Sequence, residues 1–257
     1  MIIATVSLEQ IWENKKANLN NCRNFVEEAS KKNAELIIFP EMTLTAFTMN
    51  IEVVNEIESD SFTIKLFQKL ATANKIAIVF GVIIKEDEEA SNRLYFVNEK
   101  GEILSKYKKI HPFTFANEDK YFCAGEKPQI VEYNGIKFGL SICYDLRFSN
   151  LYQYYAVKET DCILNIANWP AKRIEHWNTL LKARAIECQQ FIIGVNRTGK
   201  DANNLEYIES STIYNANGNE LNFLDNNNTM KLFNMNLDDR KKFTKDFNTV
   251  QDIKVIM

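Results

Sequence analysis

The chain has 257 residues, 46% of them hydrophobic, and a net charge of −3 with both signs interspersed. That length supports a sizeable core in one large domain or two small ones. The absence of a basic block argues against a nucleic-acid partner or an anionic membrane surface. The longest apolar runs, such as IAIVFGVII (76–84), fall far short of a membrane span.

The opening MIIATVSLEQIW has no charged stretch ahead of its apolar residues. It reads as a first strand over 2–7 rather than a signal peptide. Residues 14–32 predict a helix with Leu19, Cys22, Val26 and Ala29 on one face. ELIIFP (35–40) predicts a short buried strand that stops at a proline, and a helix over 62–73 precedes a strand over 76–84. Strands near 92–98 and 102–107 lead into a long loop from about 110 to 128. A hairpin, 129–133 with 136–142, turns at Asn134-Gly135, a strong hairpin pair, and ends at Cys143. A helix near 149–158 leads to the strand DCILNIAN (161–168) and then to a helix over 173–189. Trp177, Leu180, Leu181, Arg184 and Cys188 share that helix's register. Strands 191–196, 209–215, 219–224 and 229–235 follow, then a short helix near 237–245 and a tail. Several strands are apolar throughout, which implies cover on both faces. The expected architecture is α/β: sheets packed on each other, helices outside, one domain over 1–257.

The five cysteines, Cys22, Cys123, Cys143, Cys162 and Cys188, are widely spaced, odd in number and form no CxxC. This argues against a disulfide framework and for a reducing cytoplasm. The two histidines, His111 and His176, lie far apart, so no metal site is expected.

Three strand ends carry reactive groups. FPEM puts Glu41 just past one strand; KYKKIHPF puts Lys108, Lys109 and His111 after another; a third delivers Cys143. Ligand sites in α/β sheets gather at the carboxyl ends of strands, so a carboxylate, an ammonium and a thiol can converge there. Taken singly, each also fits a plain structural role. Glu41 would be a helix-start acid, Lys109 a solvated charge and Cys143 an inert core thiol. Spacing alone does not overturn those roles.

FPEM (39–42), KYKKIHPF (106–113) and SICYDLRF (141–148), in that order, resemble the three catalytic blocks of the nitrilase, or carbon–nitrogen hydrolase, superfamily. The resemblance runs from the first strand to about residue 245. It implies a four-layer α-β-β-α sandwich. It also implies Glu41, Lys109 and Cys143 as the catalytic residues, with Glu118 as a second active-site glutamate and Asp119 as its competitor. A thiol is a poor nucleophile until it is deprotonated. Glu41 would take its proton and later return it to the departing ammonia. Lys109 and the N–H of Tyr144 would stabilise the oxyanion, and a thioester on Cys143 would follow. No cofactor is implied. A Cys-His pair with His111 as base is the alternative thiol mechanism.

NWPAKRIEHWNTLLKARAIECQQFIIGVNRTGKD (168–201) and CYDLRF (143–148) resemble the omega-amidase branch. The substrates implied are 2-oxoglutaramate and 2-oxosuccinamate. Their free carboxylate requires a cation: Arg147 is the first candidate and Arg173 the second, against an Arg147 paired with Asp145. Trp169 and Phe115 would wall the pocket, and Asn168 would donate a substrate hydrogen bond or simply make a turn. The resemblance implies a homodimer near the helix carrying His176 and Trp177; packing within one subunit is the alternative. Two positions depart from the family pattern: Ala46 stands where relatives carry Gly, and Ser149 where many carry Pro. Another small-amide or N-carbamoyl hydrolase, or a non-catalytic binding protein on the same fold, are the competing functions.

Overall fold

The computed structural model describes residues 1–227 and 229–254, so the last three residues of the expected domain lie outside the described residues. In chain order the first half contains β1 (Ile2–Val6), α1 (Lys15–Lys31), β2 (Leu36–Ile38), α2 (Ile51–Val54), β3 (Glu56–Ile57), α3 (Phe62–Asn74), β4 (Ala77–Glu86), β5 (Glu89–Val97) and β6 (Ile103–Lys108). The middle contains β7 (Ile130–Tyr133), β8 (Ile136–Ile142), α4 (Ser149–Val157), β9 (Cys162–Ala167), α5 (Ile174–Cys188) and β10 (Phe191–Asn196). The chain continues with β11 (Gly199–Lys200), β12 (Glu206–Tyr207), β13 (Thr212–Tyr214), β14 (Phe223–Asn226), β15 (Met230–Asn234) and α6 (Leu237–Asp246).

One sheet runs β14-β15-β1-β2-β4-β5-β6, with β3 paired to β4, and a second runs β13-β10-β9-β8-β7. Strand side chains alternate between faces, and both faces of the first sheet are apolar. Leu36, Ile38, Val79, Leu94 and Phe96 join Phe138, Leu140 and Ile142 in the core between the sheets. Ile37, Ile78, Phe80 and Tyr95 belong to a second core with Leu19, Cys22 and Val26 of α1 and Phe67 of α3. Helices α4 and α5 cover the outer face of the second sheet. A Cβ on Gly194 of β10 would lie 2.4 Å from Leu181 and 2.8 Å from Trp177, so only glycine lets α5 come this close. The layers are therefore α-β-β-α, as the resemblance implies.

Trp177 is fully buried within the subunit and its Nε1 donates to the Ser210 carbonyl at 3.0 Å. Its size is explained by packing inside the monomer; His176, one residue earlier, is exposed. Ser149 is the first helical residue of α4, and the preceding cap position, Phe148, offers no side-chain hydrogen bond. Ser149 therefore does not cap; proline also suits that first position. The strand expected over 219–224 instead begins at Phe223. The reason is a turn: Asn215 Oδ1 accepts from the N–H groups of Asn217 and Asn219, both at 3.0 Å, and Gly218 is left-handed.

Candidate active site

Glu41 follows β2 in a loop pressed against β4. A Cβ on Gly81 would lie 2.4 Å from the Met42 nitrogen, so glycine is required behind this loop. Met42 and Ala46 are both left-handed, with φ of 46° and 60°. Position 46 therefore has the backbone of a glycine although it carries a methyl group. Gln10 Nε2 ties the loop down by donating to the carbonyls of Glu41, Met42 and Thr43 at 3.0, 2.9 and 3.2 Å. Lys109 directly follows β6, and its N–H donates to the Asn92 carbonyl of β5 at 3.0 Å. Glu118 comes from a one-turn helix, Glu118–Lys120, inside the long loop, and it is buried while Asp119 is exposed. Of the two acids, Glu118 is the one whose side chain turns inward.

These side chains meet. Lys109 Nζ donates to Glu41 Oε1 at 2.9 Å and to Glu118 Oε1 and Oε2 at 3.1 and 2.8 Å. Asn92 Nδ2 bridges the same carboxylates at 2.7 and 3.0 Å. The Phe113 N–H donates to Glu118 Oε2 at 2.6 Å, and the Asn168 N–H to Glu41 Oε2 at 2.9 Å. Both glutamates are 0% exposed and Lys109 is 2% exposed. Burial alone would push the Lys109 ammonium toward neutrality; the charges of Glu118 and Glu41 outweigh it and hold the proton more tightly than usual. Burial raises the Glu118 carboxyl above its ordinary range, with Lys109 opposing and Glu41 adding to the rise.

Cys143 opens the turn Cys143–Arg147 after β8 with φ of 45°, a left-handed conformation that costs a non-glycine residue about 1–2 kcal/mol. Burial pushes its thiol well above the ordinary range, the charge of Glu41 pushes further, and Lys109 opposes both. A thiol raised in this way needs a base to react. Tyr144 is the second residue of the turn, where an N–H has no intrahelical acceptor to meet. Asp145 fixes the turn from below. It accepts from the His111 N–H at 3.0 Å, from Ile142 N–H at 2.9 Å and from Tyr107 Oη at 2.7 Å, and His111 Nδ1 lies 2.8 Å away. The His111 ring also stacks on Phe148 at 3.9 Å. His111 thus binds the turn that bears Cys143 to the segment that bears Lys109.

Above Cys143 lies a cavity of about 560 Å³. Tyr144, Arg147, Trp169, Arg173 and Phe115 line it, together with Tyr207 from the β12 strand. Among the described residues no group of three or more His, Cys, Asp or Glu side chains is arranged to hold a metal ion.

The Carbon-nitrogen hydrolase family model matches residues 2–239. The chain belongs to the carbon–nitrogen hydrolase family. It is similar to Omega-amidase YafV of Yersinia enterocolitica, at 35% identity over 211 residues, covering 81% of this chain and 78% of the relative. It is also similar to 2-oxoglutaramate amidase of Bacillus subtilis (strain 168), at 31% identity, covering 73% of this chain and 72% of the relative. Its fold matches the crystal structure of XC1258 from Xanthomonas campestris, a CN-hydrolase superfamily protein with an arsenic adduct in the active site. There the TM-score is 0.91 at 26% identity, covering 100% of this chain and 98% of that one.

In this carbon–nitrogen hydrolase, Arg147 does not pair with Asp145, whose oxygens are taken by other donors. Its guanidinium lies 4.7 Å from the Trp169 ring and 5.8 Å from the Tyr144 ring, and Nη2 is 3.3 Å from His176 Nδ1. Arg173 lies over Phe113 at 5.4 Å and Phe115 at 6.0 Å. Phe115 and Trp169 both line the cavity, Phe115 82% exposed and Trp169 buried. Asn168 lines the cavity, and its Nδ2 donates to the Glu41 carbonyl at 2.6 Å, so it also positions Glu41. Sequence reasoning missed Asn92, Gln10 and the hairpin β11–β12. The available signal for Asn92 was a polar residue inside an apolar strand, because a buried amide needs partners.

Proposed function

We propose that this chain is an omega-amidase that hydrolyses the terminal amide of short dicarboxylic monoamides such as 2-oxoglutaramate and 2-oxosuccinamate. One observation carries the reading. A buried Glu41–Lys109–Glu118 array adjoins Cys143 at the base of a pocket whose guanidinium groups, Arg147 and Arg173, rest on aromatic faces and form no ion pair with a carboxylate among the described residues. Guanidinium groups held this way keep their hydrogen-bond donors for a substrate carboxylate. The names of the similar relatives support the same substrate class.

Each proton in the proposed cycle has a place. Glu41 accepts the thiol proton as Cys143 Sγ bonds to the amide carbon. The oxygen that becomes negative is met by the Lys109 ammonium and the Tyr144 N–H. Glu41 then protonates the nitrogen, the C–N bond breaks, and ammonia leaves a thioester on Cys143. Water attacks the thioester and Glu41 takes its proton; the C–S bond breaks, Glu41 returns that proton to the Cys143 sulfur, and the dicarboxylic acid leaves. Asn92 and Glu118 hold Lys109 and Glu41 in register through these steps. In the resting site the charges of Glu118 and Glu41 hold the ammonium proton against burial, and Glu118 keeps that role while Glu41 carries a proton.

The reading also includes residues 1–257 as one catalytic domain, a homodimer, and a cytoplasmic location. Five unpaired cysteines support a reducing compartment. The family resemblance supports the homodimer, which light scattering tests.

The deciding experiment measures ammonia release from 2-oxoglutaramate and succinamate against N-carbamoyl amino acids, nitriles and simple aliphatic amides. The expected result is preference for the first pair, abolished in Cys143→Ala. In Arg147→Met, KM is expected to rise with kcat largely kept, since uniform binding is what is lost. Release only from the other substrates would make it a different small-amide or N-carbamoyl hydrolase. Activity that survives Cys143→Ala would refute the mechanism, and no turnover of any substrate would favour a binding protein on this fold.

A further inference from the structure

Arg197 directly follows β10 and is 0% exposed. A guanidinium this deep normally faces a carboxylate, because burying a charge is costly unless it is well paired. Here its hydrogen bonds go to three carbonyls: Nε to Thr198 at 3.2 Å, and Nη2 to Gln10 at 2.9 Å and Lys200 at 3.2 Å. Its flat face lies 4.5 Å from the Tyr207 ring, a cation–π contact.

These contacts join the hairpin that lines the pocket to the segment that holds the Glu41 loop. Thr198 and Lys200 lead into and form the first strand of the hairpin β11–β12, and Tyr207 ends the second. The hairpin turns Asp201, Asn203, Leu205 and Tyr207 toward the cavity above Cys143. Asp201 closes it internally, accepting from the N–H groups of Asn203 and Leu205 at 2.8 and 3.0 Å and from Tyr207 Oη at 3.0 Å. The hairpin is a two-stranded piece outside both large sheets, and such a piece has little stability of its own. On the other side, Gln10 is the residue whose side chain holds the Glu41 loop.

We propose that Arg197 is a positioning residue that anchors the hairpin 199–207 to the Gln10 segment, so that this wall of the amide pocket stands at a fixed distance from Glu41 and sets which amide chains fit. A planar, multi-donor cation is suited to this work because it serves carbonyls in its plane and an aromatic ring on its face at once. The proposal deepens the omega-amidase reading and rests on it for the nature of the substrate; the anchoring itself does not.

The test uses Arg197→Met, with Tyr207→Leu and Tyr207→Phe as a second pair should the first fail to fold. Trypsin cleavage after the exposed Lys200 reads the anchor without any turnover. Loss of the guanidinium or of the aromatic face is expected to speed it about tenfold or more, as a locally opened segment allows. Tyr207→Phe, which keeps the ring, is expected to be protected better than Tyr207→Leu. In kinetics, KM for 2-oxoglutaramate is expected to rise about tenfold or more with kcat within about threefold, since a misplaced wall costs binding first. Unchanged cleavage would overturn the anchor. Faster cleavage with unchanged KM would overturn its role in the pocket, and equal loss in KM and kcat with general unfolding would reduce Arg197 to a structural residue. If the wild-type chain turns over no dicarboxylic monoamide, the substrate reading fails while the cleavage result still judges the anchor.

Discussion

Glu118→Gln removes one charge from the centre of the site with almost no change of shape. Every group that faces Glu118 is a donor: Lys109 Nζ, Asn92 Nδ2 and the Phe113 N–H. A glutamine must turn its own NH2 toward one of them, so at least one donor meets a donor. The ammonium–carboxylate contact at 2.8 Å is worth about 5–6 kcal/mol at an effective dielectric constant of about 20. Breaking a buried pair from one side typically costs about 3–5 kcal/mol, and we expect the lower end because Glu41 remains as a partner. The Glu118 charge leads the influences that hold the Lys109 proton against burial. Without it the ammonium is lost at lower pH, so the alkaline limb of kcat/KM moves down in pH. Displacement of Lys109, the proposed oxyanion partner, is expected to lower kcat by about 10²–10³. The assay is ammonia release across the pH range, with urea denaturation for stability. A folded variant with kcat within about threefold of wild type and an unmoved alkaline limb would falsify the reasoning.

Asn92→Leu strips two hydrogen bonds from buried carboxyl groups and should cost about 2–3 kcal/mol in urea denaturation as well as activity; an active variant of wild-type stability would exclude Asn92 from the array. Ala46→Gly is expected to stay within about 1 kcal/mol of wild type. Relief of the left-handed backbone is offset by lost burial of one methyl and by the looser unfolded chain. Ala46→Val, branched at Cβ in the same conformation, should lose about 2–3 kcal/mol; equal thermal midpoints for the two variants would contradict this. Burial raises the thiols of Cys22, Cys143, Cys162 and Cys188 in the folded chain. The folded state then keeps protons that the unfolded chain releases above about pH 8.5, so stability is full below that point and falls as pH rises through it. The slope is up to about 1.4 kcal/mol per pH unit per group. A urea midpoint that holds steady from neutral to strongly alkaline pH would count against it.

Much of this architecture is legible along the chain because the signals are local. The α1 face of Leu19, Cys22, Val26 and Ala29 follows from a 3.6-residue period, and the β7–β8 turn follows from Asn134-Gly135, both left-handed as such a turn demands. The short elements α2, β3, β11 and β12 carry no period to read, since two to four residues are too few to show one. β14 starts later than the residue pattern predicts because the Asn215 side-chain turn, which reaches Asn219, depends on hydrogen bonds that the pattern does not display.

The site divides in the same way. Lys109 and Cys143 directly follow strands and Glu41 lies just past one, so the sequence by itself pointed to all three and, through the resemblance, to their family. Their encounter, 68 residues apart for Glu41 and Lys109, depends on sheet order and could not be read locally. Tertiary structure alone decided that Glu118 rather than Asp119 turns inward, that Asn92 bridges two carboxylates, and that Asn168 serves Glu41. It also decided that Arg147 leans on Trp169 instead of pairing with Asp145. The physical reason is that a chain can encode which groups are reactive through composition and spacing. Which of them are desolvated against one another depends on side chains brought together from distant strands, and desolvation is what changes their chemistry.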